Sequence, residues 1–176
     1  PFRFTSWYGY GRVVAVLPLR GRQVVLAAFE GNTGTGVYQE LQAVIGQEDD
    51  DTARILALET LNARETPICR EAAYLSSRLV PDGAGLRLDQ TAHGVSGTCD
   101  PRRRPVRFRE HWTTMLRWDG RGVMQAAPAP PSAGPAQRKV AAARARTLEW
   151  LAAAPRSEVT LDDLDRLGLM EVVRTA

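Results

Sequence analysis

The stretch VRFREHWTTMLRW, residues 106–118, divides into two series when every second residue is taken. Val106, Phe108, Glu110, Trp112, Thr114, Leu116 and Trp118 form one series, largely apolar and aromatic. Arg107, Arg109, His111, Thr113, Met115 and Arg117 form the other, basic and polar. A period of two, rich in aromatic and β-branched residues, predicts a long strand. Its indoles rest on a core and its guanidiniums stay in water. Asp119-Gly120-Arg121-Gly122 follows at once and reads as a turn.

Upstream, the runs on either side of residues 18–22, PLRGR, are continuously apolar and read as a hairpin of strands buried on both faces, with Pro18 at a strand end. A second hairpin flanks PDGAG at 81–85, where proline, Asp-Gly and a second glycine supply the turn. Residues 37–45, VYQELQAVI, fit a helix and a strand about equally. Residues 52–64, TARILALETLNAR, carry good helix formers, and a short helix is expected, with a strand as its rival. The acids at 48–51 are contiguous and lack the spaced ligands of a calcium loop, so they read as a solvated turn with a helix N-cap.

Downstream, residues 126–137, AAPAPPSAGPAQ, read as a semi-rigid linker. A helix follows from Arg138 to Ala154, stopped by Pro155. Thr160-Leu161-Asp162-Asp163 then supplies an N-cap and early acids for a second helix, with Gly168 as its C-cap. That helix is too acidic to enter a DNA groove. The last residues, 169–173, read as a short strand or a helical tail.

The organisation expected is a β-rich domain over 1–125, a linker over 126–137 and a helical segment over 138–176. The fold class is mainly β, α+β overall. An antiparallel sheet curls into a sandwich or barrel, and a small C-terminal helical appendage docks on it or on a partner.

The chain has 176 residues, 44% of them hydrophobic and 24% charged, which suits one sizeable core. Its net charge is +3 and nearly all its cations are arginine, since Lys139 is the sole lysine. That preference, with abundant Ala, Gly and Pro, points to a GC-rich genome rather than to nucleic acid. No apolar run approaches the roughly 20 residues of a membrane-crossing helix. The first residue is Pro1, so the amino terminus is expected to have been processed or trimmed, and the lack of an export signal is no evidence of a cytoplasmic home.

Cys69 and Cys99 are the only cysteines. A bridge between them would close a loop of about thirty residues, worth about 3–4 kcal/mol by chain entropy, and would place the protein in an oxidising compartment. Two reduced thiols are the alternative.

For chemistry, the glycine-rich EGNTGTG at 30–36 lacks the lysine and Ser/Thr of a phosphate-binding loop, and its glycines suit a turn between strands. His93, Ser96 and Asp100 fall close enough in sequence to suggest a hydrolase, but no nucleophile elbow is present. No catalytic residue, cofactor site or metal site is assigned. Two binding surfaces are. Arg102, Arg103, Arg104, Arg107, Arg109, His111 and Arg117 could make a basic stripe for an anionic partner, or a solvated edge that resists aggregation. Trp7, Tyr8 and Tyr10, interleaved with Arg3 and Arg12, could stack on bases or sugars, or plug an end of the core.

The glycine-rich loop, the Pro-Asp-Gly hairpin, the cysteine pair and LRWDGRGV at 116–123 together resemble exported bacterial β-rich envelope domains, over residues 12–125. The resemblance implies export and a binding or structural role, and carries over no catalytic residue. The function expected is thus a non-enzymatic exported cell-envelope protein, periplasmic, surface-bound or secreted. It would bind a protein partner or envelope polymer, or assemble into a larger structure. The alternatives are a cytoplasmic nucleic-acid-binding accessory protein and the hydrolase.

Overall fold

The computed structural model describes residues 1–4, 9, 11–48, 52–66, 71–83, 85–96, 102, 104–171 and 173, the side chain of Ser96 excepted. The elements are β1 (Arg3–Phe4), β2 (Gly11–Leu19), β3 (Arg22–Gly34), β4 (Val37–Gln47), β5 (Ala53–Glu65), β6 (Ala72–Asp82), β7 (Gly85–Ser96), β8 (Val106–Arg117), β9 (Gln125–Ala126), α1 (Pro135–Ala153), β10 (Glu158–Val159) and α2 (Leu161–Arg166). Strands β2 to β9 form one antiparallel sheet in chain order, each paired to the next. The protein is mainly β, and the sheet is not closed into the barrel that was one expectation. Strands β5 and β6 pair only over Asn62–Glu65 and Ala73–Ser76. Where they part, the Met124 N–H donates to the Leu56 carbonyl at 2.8 Å, so the loop before β9 reaches back to β5. Strands β1 and β10 pair in parallel, and Phe4 stacks on Phe29 at 4.3 Å.

The predicted alternation holds from Arg107 to Trp118, while Val106, expected on the core face, is 65% exposed at the start of β8. Trp112, Leu116 and Trp118 are buried, while Arg107, Arg109, His111 and Arg117 are exposed. Both predicted hairpins form, as β2–β3 and β6–β7. The expected helix over 52–64 is instead strand β5. Its residues Ile55 and Leu58 enter one core cluster and Leu56 and Ala57 another. A strand buried on both faces loses the period of two, so its apolar run mimics a helix. No helix therefore follows the acidic turn. Strand β2 departs the other way: it is the sheet's edge, and Val13 and Val16 are 65% and 52% exposed rather than buried.

The glycine-rich hairpin at 30–36 serves packing and turning. A Cβ on Gly31 would collide with Leu41 and Gln39, and Gly36 turns the chain at φ +78°. At the far end, Thr160 is the N-cap read from the sequence, and the structure adds a capping box: the Asp163 N–H donates to Thr160 Oγ1, and the Thr160 N–H to Asp163 Oδ2. Gly168, at φ +74°, follows it, and the Leu169 N–H returns to the Leu164 carbonyl at 2.7 Å. Leu169, Met170, Glu171 and Val173 are in neither strand nor helix, yet Leu169 and Val173 are buried.

Helix α1 takes part in all three core clusters. Ala143 and Leu151 belong to the first, Leu148 packs on the second, and Ala136 with Val140 meets Ala63, Leu75, Ala92 and Trp112 in the third. It begins at Pro135, inside the expected linker, because proline suits a first helical turn. The helix has no side-chain cap of its own, no acid in its first turn and no base in its last. The sheet supplies both. Glu110 on β8 accepts from the Ala136 and Gln137 N–H groups at 3.1 and 3.0 Å. Arg54 on β5 donates to the Leu151 carbonyl at 2.8 Å and pairs with Glu48 at 3.0 Å. A carboxylate thus meets the positive end of the helix dipole and a guanidinium the negative end. Glu110→Ala is expected to cost about 1–2 kcal/mol in urea unfolding, with Glu110→Gln losing less.

Candidate functional site

Pairing register brings side chains from five strands into rows on the outward face of the sheet. Arg109 stands opposite His93, His93 opposite Tyr74, Tyr74 opposite Arg64, and Arg64 opposite Tyr38. Arg109, His93 and Arg64 are exposed, and the two tyrosines half-buried. The rings of Tyr74 and His93 stack at 4.9 Å and 8°. Adjacent strands lie about 4.8 Å apart, so the row spans roughly 20 Å. The next row runs His111, Thr91, Ser76, Asn62 and Glu40. In it, Thr91 Oγ1 lies 3.1 Å from His111 Nδ1.

The charge on this face is unbalanced. Glu40 is held by Arg12 at 2.7 Å and by Asn62 at 2.8 Å. Asp89 accepts from Thr113 at 3.0 Å and from Arg87 at 3.3 Å. The exposed guanidiniums of Arg64, Arg78, Arg107 and Arg109 enter no ion pair among the described residues. Burial raises the Tyr38 phenol above its ordinary pKa, and the Glu40 and Glu30 carboxylates push the same way against Arg12. Tyr38 is therefore a neutral ring at physiological pH. Chemically, the face offers cations for phosphate, sulfate or carboxylate groups and rings for stacking planar ones.

Of the expected stripe, Arg107, Arg109, His111 and Arg117 line up on the exposed side of β8, and Arg102 and Arg104 are exposed before it. Arg103, Trp7, Tyr8, Tyr10, Cys69, Cys99 and Asp100 lie outside the described residues. His93 is drawn into the row beside Arg109 and Tyr74. Arg64, Tyr38 and Tyr74 were not singled out in the sequence, because only the register reveals that they share a row with Arg109. Among the described residues, no group of three or more His, Cys, Asp or Glu is placed to hold a metal.

Behind this face lies a buried polar network. Arg144 of α1 donates from Nε and Nη2 to the two Glu59 oxygens at 2.5 and 3.1 Å, and from Nη2 to Gln90 Oε1 at 2.8 Å. Gln90 also accepts from Trp112 Nε1 at 2.9 Å and donates to Ser77 at 3.1 Å. The side chains of Arg144 and Glu59 are only 4% and 6% exposed. A signal for this existed: Arg144 falls four residues from both Val140 and Leu148, on the helix's apolar stripe. No protein-family model, curated protein or solved structure matches the chain.

Proposed function

We propose that the chain is a non-enzymatic binding protein of the bacterial cell envelope, whose outward sheet face takes an anionic partner, either an envelope polymer or an acidic protein surface. The observation that carries this reading is the row of Arg109, His93, Tyr74, Arg64 and Tyr38, with arginines that no carboxylate among the described residues neutralises. Arginines kept only for solubility need no such alignment with rings. Export rests on the cysteines. Ala72 faces Val95 across the β6–β7 ladder, and in the sequence Cys69 comes three residues before the one and Cys99 four residues after the other. A bridge between them would staple that end of the ladder.

Two measurements test the parts separately. Alkylation without reductant is expected to add no mass to freshly isolated protein, and two reactive thiols would remove the support for export. Fluorescence anisotropy with labelled polygalacturonate and labelled dT20 tests the partner. The carboxylate polymer is expected to bind at least as tightly as the DNA at equal salt.

A second reading, single-stranded nucleic acid, is favoured by the alternation of cations and rings in the row, since bases stack on aromatics while arginines track phosphates. Tenfold tighter binding of dT20, weakened by Tyr74→Ala, would select it.

A further inference from the structure

Strand β8 is bonded to β9 only at Leu116 and Arg117, so from Val106 to Met115 it is the last strand of the sheet. Its outer row of backbone N–H and C=O groups there has no strand partner among the described residues. Beside that open edge lies a cleft of about 630 Å³. Trp112, Thr114 and Met115 line it from β8, Ala126–Pro130 from the proline-rich segment, and Ala141 and Arg144 from α1.

Three features describe what fits. The proline-rich segment cannot complete the sheet itself, because Pro128 and Pro130 have no N–H to donate. The cleft lining includes the guanidiniums of Arg117 and Arg144 and no carboxylate. Arg144 is held on its Glu59 side at 2.5 and 3.1 Å, while its Nη1 reaches only Thr114, another cleft residue, at 3.4 Å. That nitrogen retains donor capacity toward the cleft.

We propose that this cleft receives an extended acidic peptide from a partner protein, added as a strand along β8. Main-chain bonds to the open edge hold it in place. Its acidic side chains meet Arg117 and the Nη1 of Arg144, and its apolar ones lie against Met115, Ala126 and Ala141. The site shares Arg117 with the exposed side of β8 but needs neither Arg64 nor Arg109.

The probe is a random ten-residue peptide library selected against the full chain. Enriched sequences are expected to be rich in Asp or Glu. Synthesised, they should slow hydrogen exchange of alternate β8 amides between Val106 and Met115 at least tenfold. Ala141→Phe, which fills the cleft, and Arg117→Glu, which reverses its charge, should each weaken binding at least tenfold. Arg64→Gln with Arg109→Gln should leave binding unchanged, which separates this site from the outward face. The proposal is overturned by enrichment no greater than against the Ala141→Phe variant, by enriched basic sequences, or by protection anywhere other than β8.

Discussion

Arg144→Met is expected to lower the stability of the protein by about 3–5 kcal/mol in denaturant titration, one of the two largest single-residue effects in the chain. Methionine matches the volume of the arginine stem but leaves the Glu59 carboxylate with no cation, in a place only 6% exposed. The cost comes mostly from that stranded charge. Replacing both partners, Arg144→Met with Glu59→Leu, is therefore expected to recover most of the loss, since an apolar pair needs no compensation. Gln90 keeps its bond from Trp112 in either variant. A double variant as unstable as the single one would show that the arginine's other bonds, to Gln90 and Thr114, dominate instead.

Trp118→Ala is expected to cost a similar 3–5 kcal/mol, by a different route. Trp118 is 1% exposed and shares a cluster with Leu19, Val24 and Leu26 from one end of the sheet and Leu86, Leu116 and Met124 from the other. Removing the indole leaves a hole where those two ends meet, and the rigid strands on both sides limit collapse. Its Nε1 also donates to the Gly122 carbonyl at 3.2 Å, and the Arg22 guanidinium lies 5.9 Å from the ring centroid. Trp118→Phe keeps much of the volume and loses that bond, so it is expected to fall well short of the alanine cost. Thermal melts of the two variants, compared at the wild-type midpoint, check the order.

Much of this was legible before any coordinates. Strand β8 could be read because one of its faces is wet, and alternation survives only under that condition. The N-cap of α2 could be read because Thr160 and the acids that follow it are local to each other. What escaped is what depends on distant partners. Strand β5, buried on both faces, shows no alternation and is rich in helix formers. Strand β2 reads as core, and its exposed valines follow only from its place at the edge of the sheet. The caps of α1 come from Glu110 and Arg54, which no local pattern ties to the helix. The outward row is legible only in part, because the arginines of β8 sit in one run while Arg64, Tyr74 and Tyr38 join them through the register of three further ladders.

The outward face is tested most directly by the salt dependence of polygalacturonate binding, measured for the wild type and for a variant carrying Arg64→Gln, Arg78→Gln, Arg107→Gln and Arg109→Gln. If those arginines hold the polymer, the logarithm of the wild-type binding constant falls against that of salt concentration with a slope of about −3. The variant, confirmed folded by its melt, binds roughly 100-fold more weakly at low salt, with a slope near zero. Equal affinities and equal slopes for the two proteins would contradict that role.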